Sequence, residues 1–332
     1  MRRSICGASA GKVKDKMYEK VILVTGGAGF IGSHYLNIAV PRYPQYRFIN
    51  VDLLTYAANP ANILAADAGN YVFVRADIRD SAAMERVFAE HAPTHIINFA
   101  AESHVDNSIE RPRAFVETNI LGTQVLLDLA RTHKLARFHQ ISTDEVYGSV
   151  APDAPPVRED APLLPNSPYS ASKAAADLLV RAYNKTFGLD TIITRASNNY
   201  GPHQHAEKLI PRFITALRGG QKVPLYGRGL NVRDWIYVSD HAEGIDAAFH
   251  KGRAGEIYNL GGGNEMRNVD ITRLLLEMNG SGEDMIEHVA DRPGHDFRYA
   301  IDSGKAQTEL GWAPVVAFAE GIKKTWQWYT AA

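Results

Sequence analysis

Residues 21–32 read Val-Ile-Leu-Val-Thr-Gly-Gly-Ala-Gly-Phe-Ile-Gly, and this stretch decides the fold. Its first five residues form a short apolar, β-branched run that is typical of a buried parallel strand. Gly27, Gly29 and Gly32 then have the spacing of a dinucleotide-binding turn, which needs a tight bend, bare backbone beside a pyrophosphate and close packing of helix on strand. The residues up to about Ala39 are compatible with a helix, whose free N-terminal N–H groups would face the phosphates.

A second predicted strand, Phe48–Val51, ends at Asp52, about 20 residues past Gly32. An acid at this distance holds the ribose 2′-hydroxyl of a dinucleotide and repels a 2′-phosphate, so the pattern favours NAD over NADP. The alternative is an ordinary turn or cap aspartate, but the strand–glycine–helix context favours the binding function.

Strand-like apolar runs alternate with helical patterns through the first 200 residues. Strands are predicted at 71–74, 95–101, 138–141 and 190–195, and helices at 81–91, 112–133 and 169–187. This alternation predicts an α/β fold with a doubly wound parallel sheet, a Rossmann-type NAD-binding domain. Ligands bind beyond the carboxyl ends of such strands, where Asp52, Asp77, Ala101 and Thr143 all fall, so one crevice should collect them.

The alternation loosens in the second half of the chain. We expect the Rossmann domain over residues 18–197, with segments near 223–250 returning to it, and a mainly substrate-binding, smaller and mixed domain over 198–332. The length of 332 residues suits two domains. Residues 1–17 are basic and rich in small residues without an apolar core, so we expect a flexible lead rather than a secretory signal.

Composition disfavours several classes of function. A net charge of −1 without a long basic run argues against nucleic acid or an anionic membrane as the main partner. No apolar segment approaches the ~20 residues of a membrane helix. Cys6 is the single cysteine, so no internal disulfide forms and a reducing, cytoplasmic setting is expected. His203 and His205 are the only tight histidine pair, without cysteines or helical spacing, so no metal site is predicted.

Tyr169 and Lys173 are four residues apart on a predicted helix and should face the same way. A free phenol has a pKa near ~10, which a nearby ammonium would lower. Such a phenol could take a hydroxyl proton while hydride leaves the same carbon for NAD. The alternative is that Tyr169 and Lys173 are an ordinary pair on a helix surface. The glycine turn and Asp52 earlier in the chain favour the catalytic interpretation over this alternative.

Thr143, Asp144 and Glu145 follow the fifth predicted strand and offer a hydroxyl with two carboxyls. Thr143 would hydrogen-bond the reacting oxygen. An alcohol dehydrogenase or a C4 epimerase needs no further acid and base, whereas a dehydratase needs a base for the C5 proton and an acid for the departing C6 hydroxyl. Neighbouring strand side chains point to opposite faces, so both carboxyls can act only if the backbone leaves strand geometry at Thr143. The alternative is that one carboxylate caps a helix or pairs with a cation.

Seven motifs carry a resemblance to a known family: TGGAGFIG, FAAESHVDNSI, ISTDEVYG, YSASKA, SNNYGP, RDWIYVSDHA and RPGHDFRYAID. Together they resemble the dTDP-glucose 4,6-dehydratase family of the extended short-chain dehydrogenase/reductase superfamily over nearly all of residues 18–330. The TDE triplet separates this family from relatives that show serine where Asp144 stands, and from epimerases that lack both acids. The family resemblance implies Tyr169 as the C4 base, Asp144 as the C6 acid, Glu145 as the C5 base and Thr143 as a partner of the C4 oxygen.

The resemblance also implies two sets of ligand-binding residues. The NAD set is Gly26, Gly29, Phe30, Ile31, Gly32, Asp52, Leu53, Thr55, Asp77, Ile78, Ala100, Ala101, Ser103, Thr118, Tyr169, Lys173 and Asn199. The nucleotide-sugar set is Ser103, Thr143, Asn198, Lys208, Leu209, Pro224, Tyr226, Arg233, Asn268, Arg292 and His295. Arginine and lysine in the second set suit a diphosphate.

The resemblance implies NAD-dependent conversion of dTDP-glucose to its 4-keto-6-deoxy product plus water, by a homodimer joined through the helices near 112–133 and 169–187. The stretch 203–206 departs from the family, which usually has aromatics and a proline there. That departure leaves open a UDP-sugar dehydratase, an epimerase or a decarboxylase on the same scaffold. A non-catalytic NAD-binding sensor is the alternative from another class.

Overall fold

The computed structural model describes residues 17–331, so Cys6 and almost all of the predicted lead lie outside the described part. The strands are β1 Lys20–Thr25, β2 Tyr46–Asp52, β3 Tyr71–Arg75, β4 His95–Asn98, β5 Arg137–Thr143, β6 Thr191–Ala196, β7 Asn198–Tyr200, β8 Val223–Tyr226, β9 Val232–Tyr237, β10 Ile257–Leu260, β11 Glu265–Arg267 and β12 Ile286–Val289. Seven of them form one parallel sheet in the order β10-β6-β5-β4-β1-β2-β3. This order reverses at β1 and confirms the predicted doubly wound fold.

The helices connect these strands and cover both faces of the large sheet. They are α1 Phe30–Arg42, α2 Ser81–His91, α3 Val105–Glu110, α4 Pro112–Phe115, α5 Thr123–Thr132, α6 Pro168–Phe187, α7 Leu209–Arg218, α8 Val238–Lys251, α9 Asn268–Asn279, α10 Gly304–Leu310 and α11 Phe318–Thr330. Among residues 17–331, no helix combines the length and the apolar character that crossing a membrane requires.

The helix predicted over 112–133 is interrupted by a π-helical stretch, Val116–Gly122. Asn119 in this stretch receives the Glu102 N–H at 2.9 Å and donates to the Glu102 carbonyl at 3.0 Å and to the Ser172 hydroxyl at 2.8 Å. The Asn119 side-chain amide thus links the segment that follows β4 to helix α6. Sequence periodicity did not indicate the wider turn, because the polar contacts that accompany it come from distant residues.

Two apolar cores sandwich the large sheet. One joins the sheet to α1, α8 and α10 through side chains such as Leu36, Ile245 and Leu310. The other joins it to α2, α5 and α6 through Phe88, Leu126 and Val180. Burial on both faces explains why these strands are nearly continuous apolar runs rather than alternating ones.

A smaller unit with its own core follows the large sheet. The parallel pair β8–β12 and the sheet β11-β9-β7 pack with α7, α9 and α11 around Trp235, Phe213 and Leu275. Within the region near 223–250, β8 belongs to this unit, whereas α8 returns to the large sheet and leads into its seventh strand, β10. The wider division at residue 197 remains our proposal.

Candidate active site

A cavity opens at the carboxyl ends of the large sheet, where β1, β2, β3, β4, β5 and β6 all terminate. Every residue predicted for the catalytic and cofactor sets lines it, as do Ser103, Thr143, Asn198 and Lys208 of the substrate set. The strand-end residues Asp52, Asp77, Ala101 and Thr143 are therefore gathered at one place. The remaining substrate-set residues lie outside this lining and are described below.

The glycine turn sits where β1 meets α1. Gly26 has φ +69°, and a Cβ there would lie 2.7 Å from the Ala100 nitrogen. A Cβ at Gly32 would lie 2.5 Å from the Gly26 carbonyl oxygen. Gly29 is the N-cap of α1 and supplies no side-chain cap, so the first N–H groups of the helix remain available to an anion. The turn thus has the bare backbone that a dinucleotide diphosphate needs.

The Asp52 carboxylate fastens this turn to β2. The Ala28 N–H donates to its Oδ2 at 3.0 Å and the Leu54 N–H to its Oδ1 at 2.8 Å. Each oxygen keeps a second lone pair, which a ribose hydroxyl could use. Asp77 lies at the next strand end and pairs with Arg79 at 2.6 Å, so its charge is already compensated by the chain.

The backbone leaves strand geometry right after Thr143, as the two-carboxyl hypothesis requires. β5 ends at Thr143, and residues Asp144–Tyr147 form a 3-10 turn. Thr143 caps this turn, because its hydroxyl accepts the Glu145 N–H at 3.2 Å and donates to Asp144 Oδ1 at 3.2 Å. Asp144 and Glu145 consequently both line the cavity instead of pointing to opposite faces.

Asp144 is buried, with only 3% of its surface exposed. Burial raises the pKa of its carboxyl well above the usual range, and the charges of Glu145 and Asp234 add to the shift. Its Oδ2 has no hydrogen-bond partner within residues 17–331. A carboxyl that lines the cavity, has a strongly raised pKa and keeps one oxygen without a partner has the properties of a general acid.

Glu145 lies beside Asp144 but meets a different electrostatic environment. Burial raises its pKa, while the positive charges of Arg292, Arg233 and Lys208 act in the opposite direction. These three cations favour the carboxylate form, which is the form a base needs. The pKa of both carboxyls is raised, but neighbouring negative charges add to the shift at Asp144, whereas neighbouring cations oppose it at Glu145. This difference in environment suits an acid and base pair.

Tyr169 and Lys173 occupy the first turns of α6, which a Ser167–Ser170 capping box starts. Lys173 Nζ donates to the Ile141 carbonyl at 2.6 Å, and burial lowers its pKa to about 8. The predicted lowering of the Tyr169 pKa is wrong. Burial and the negative charge of Glu145 raise it, and the Thr143 hydroxyl beside it only partly offsets them. The ammonium alone does not make this phenol a base.

The distant substrate-set residues gather on the side of the cavity where Glu145 lies. Arg292 Nη1 and the Tyr226 hydroxyl both donate to the Asp106 carboxylate, at 3.4 and 3.1 Å. Arg233 donates to the Asp296 carbonyl at 3.0 Å and lies over the Tyr299 ring. These contacts hold two guanidinium groups whose charges act on Glu145, with Arg292 paired to Asp106 at 3.4 Å.

The other members of the substrate set take mainly structural positions. Pro224 lies opposite Glu287 in the β8–β12 ladder, and Leu209 begins α7. Asn268 begins α9 with its Oδ1 buried and lacking a hydrogen-bond partner in the described part of the chain. His295 Nδ1 lies 2.6 Å from Asp291, and its ring is 6.1 Å from that of Tyr226.

Several cavity residues were not predicted from the sequence, among them Glu102, Gln204, His205, Glu207 and His241. Gln204 and His205 fall in the stretch that departs from the family pattern, which was a usable signal. His241 lies inside the RDWIYVSDHA motif, but nothing in its local spacing indicates a contact with the cavity. Within residues 17–331, no cluster of three histidine, cysteine or acidic side chains suited to a metal is present.

Comparison with known proteins gives consistent matches along almost the whole chain. The family model described as GDP-mannose 4,6 dehydratase matches residues 23–325. A dTDP-glucose 4,6-dehydratase from Streptomyces niveus is 50% identical over 313 residues, which cover 93% of this chain and 92% of the relative.

Solved structures agree with these sequence matches. A dTDP-glucose 4,6-dehydratase from Streptomyces venezuelae, crystallised with NAD and a second ligand, superposes with a TM-score of 0.90 at 50% identity and covers 94% of this chain and 97% of that one. A UDP-glucose 4-epimerase from Thermotoga maritima reaches a TM-score of 0.87 at 31% identity, with 94% and 99% covered. The fold is thus shared with epimerases, and the site must decide between reactions.

Proposed function

This chain belongs to the dTDP-glucose 4,6-dehydratase family of the extended short-chain dehydrogenases/reductases, and we propose that it converts dTDP-α-D-glucose to dTDP-4-dehydro-6-deoxy-D-glucose and water. The observation that carries this proposal is the presence of two neighbouring carboxyls in one cavity, Asp144 with a pKa raised well above its usual range and Glu145 facing three cations. An epimerase would have no use for that pair. The overall reaction involves no net oxidation, because the product and water together contain the atoms of the substrate.

NAD fits the cofactor side of the cavity. Gly26, Gly29 and Gly32 leave bare backbone at the start of α1, and Asp52 has lone pairs to spare for a ribose. When bound, NAD would accept a hydride from C4 of the sugar and return it at C6, and its positively charged oxidised ring would favour the phenolate of Tyr169. The same cavity is also lined by Ala101, Glu102 and Thr118.

We propose that Tyr169 removes the proton of the C4 hydroxyl, with Thr143 as the hydrogen-bond partner of that oxygen. Lys173 is anchored on the Ile141 carbonyl, so its ammonium stays at a defined place in the site. The resulting C4 ketone makes the C5 proton acidic. General base catalysis of this kind typically contributes 10²–10⁴-fold to the rate.

Glu145 then takes the C5 proton, and Asp144 gives its own proton to the departing C6 hydroxyl. The leaving group departs as water, and Glu145 would return a proton to C5 when the hydride returns at C6. The proton that Tyr169 took from the C4 hydroxyl then replaces the one that Asp144 lost, which closes the proton balance. Lys208, Arg233 and Arg292 are placed to hold the diphosphate of the nucleotide, and their charges simultaneously favour the carboxylate of Glu145.

The proposed reaction is tested by incubating the protein with dTDP-glucose and, separately, with UDP-glucose. The 4-keto product develops an ultraviolet chromophore in base, and we expect it from dTDP-glucose. Formation from UDP-glucose alone would indicate a UDP-sugar dehydratase, and conversion to a C4 epimer without the chromophore would indicate an epimerase. NAD binding with no product from either substrate would support a sensor and contradict the proposal.

We also propose a homodimer joined through α6 and the stretch from α4 to α5. Val116, Leu121 and Leu178 on these elements are 46%, 48% and 55% exposed, an apolar face that a second copy would cover. Leu178→Glu should dissociate the dimer, as measured by light scattering after size-exclusion chromatography. Val315→Glu, at a position 84% exposed in another part of the fold, is the control that should leave the mass unchanged. A monomeric wild-type protein would contradict this proposal.

We further propose that the NAD-binding domain ends at residue 197, where a mainly substrate-binding domain begins, and that the protein is cytoplasmic. The first is supported by the separate core of the smaller unit around Trp235. The second rests on Cys6 as the single cysteine. Expression of residues 18–197 alone is not a test of the first, because β10 completes the large sheet.

A further inference from the structure

His241 is a fully buried imidazole at the wall of the cavity, outside every role assigned above. It lies on α8 with 0% of its surface exposed and lines the cavity. Its Nδ1 is 2.9 Å from the Oδ1 of Asn199, which also lines the cavity. The contact joins a helix that covers the large sheet to strand β7.

The orientation of the Asn199 amide is set by a second contact. Asn199 Nδ2 donates to the Ser197 carbonyl at 3.0 Å, so Oδ1 must face His241. An amide oxygen only accepts hydrogen bonds, and therefore His241 Nδ1 carries the proton. Burial lowers the His241 pKa to about 3, so the ring is neutral and its Nε2 carries no proton. That Nε2 is buried and lacks a partner within residues 17–331.

Asn199 is also held through its main chain, because Gln204 Nε2 donates to its carbonyl oxygen at 2.8 Å. With Oδ1 turned to His241 and one amide hydrogen on Ser197, a single amide hydrogen remains for a ligand in the cavity. A freely rotating asparagine could present either an oxygen or an NH₂ group. The contacts with His241 and Ser197 instead fix which hydrogen of the Asn199 amide is left for a ligand.

We propose that His241 is a positioning residue, which fixes the Asn199 side chain so that it donates its remaining hydrogen to an acceptor atom of the bound dinucleotide. The inference rests on the proposed NAD site. It concerns affinity rather than chemistry, because His241 acts through Asn199 and transfers no proton. Removing the Nδ1 donor frees the amide to rotate and to present its oxygen instead.

Two substitutions separate the Nδ1 donor from the bulk of the ring. In His241→Asn the amide hangs from Cγ, so its NH₂ group can take the place of Nδ1. In His241→Gln the amide lies one bond further out, near the position of Nε2. We expect H241N to bind NAD within about threefold of the wild type and H241Q to bind about tenfold more weakly.

The measurement is the dissociation constant of NAD by isothermal titration calorimetry on protein stripped of nucleotide, in a cycle with Asn199→Ala. If His241 acts through Asn199, H241Q weakens binding in the wild type but changes it less than about twofold in the N199A background. Equal weakening in both backgrounds would show a merely structural role and overturn the inference, as would wild-type affinity in H241Q. Loss in H241N as large as in H241Q would overturn it too.

The melting temperature of each stripped variant shows whether it folds, and H241A replaces H241Q in the same cycle should the latter fail. The wild type is titrated first. A wild type that binds no NAD would contradict the proposed function itself, whereas a wild type that binds NAD with an additive cycle would contradict this inference alone.

Discussion

The cofactor side and the substrate side of the cavity are built in different ways. On the cofactor side the defining contacts involve main-chain groups, such as the Ala28 N–H that donates to Asp52, 24 residues away. On the substrate side they join charged side chains from distant segments, such as Arg292 and Asp106, 186 residues apart. Bare backbone and shape therefore determine binding on the cofactor side, and charge determines it on the substrate side. Substitutions that keep shape or keep charge should therefore affect the two sides differently.

Asp144→Asn keeps shape and removes an acid, and it should have the largest effect. We expect turnover of dTDP-glucose to fall by about 10²–10⁴-fold, the usual contribution of a general acid. Oxidation at C4 should persist, because Tyr169 and Lys173 are intact, and the reduced cofactor should accumulate and absorb near 340 nm. Asp153→Asn in the exposed loop after β5 is the control and should be silent. Wild-type turnover in D144N would mean that water loss needs no proton from Asp144.

Gly26→Ala keeps charge and changes shape. The added Cβ would meet the Ala100 nitrogen at 2.7 Å, so we expect NAD affinity to fall by at least about 100-fold, or about 2.7 kcal/mol. Gly188→Ala is a matched control, since Gly188 has nearly the same φ, +70° against +69°, with nothing within 4 Å of the new Cβ. It should cost about 1 kcal/mol of stability and leave NAD affinity unchanged. Calorimetric titration with NAD measures the first effect and urea unfolding the second.

Arg292→Ala removes one of the cations around Glu145. We expect the KM for dTDP-glucose to rise about tenfold with a smaller loss in kcat, since the guanidinium is proposed to bind the diphosphate before and during the reaction. The salt dependence of KM should weaken at the same time. Arg273→Ala removes an exposed arginine that pairs with Glu283 and should change neither quantity. Steady-state kinetics at low and high salt measure both quantities. A normal KM in R292A would contradict a role of this guanidinium in binding the diphosphate.

The smallest predicted effect is on stability. Because folding raises the Asp144 pKa, the unfolded chain releases its proton at a lower pH than the folded protein does. The wild type consequently loses stability as pH rises above the ordinary carboxyl range, and D144N does not share this loss. At pH 7 we expect D144N to be the more stable protein by about 1 kcal/mol, with the difference shrinking toward pH 4. Urea unfolding at the two pH values measures it. A difference independent of pH would show that Asp144 ionises normally.

The same contrast explains which features were predictable from the sequence. Two local patterns carry a physical requirement at each position: the strand, glycine turn and helix predicted from residue 21 to about 39, and the Thr143 triplet followed by Tyr169. The break in the backbone after Thr143 was required by the chemistry and is present as a 3-10 turn. The fold class followed from the alternation of strands and helices, and the strand order agrees with it.

The features that escaped prediction depend on contacts across the fold. β10 joins the large sheet beside β6 from more than sixty residues away, and no pattern within Ile257–Leu260 specifies that partner. The contact of His241 with Asn199 is equally non-local. The Tyr169 pKa was misjudged because spacing on a helix gives proximity to Lys173 but not burial or the charge of Glu145. Side-chain environments of this kind require the tertiary structure.

The central claim is that Glu145 and Asp144 remove water from a sugar whose C5 proton the C4 ketone has made labile. The most direct test is NMR of the product formed from dTDP-glucose in heavy water, with the wild type beside Glu145→Gln. We expect deuterium at C5 of a 4-keto-6-deoxy product from the wild type, and almost no such product from E145Q. A product that retains its original hydrogen at C5, or equal deuterium incorporation by both proteins, would contradict it.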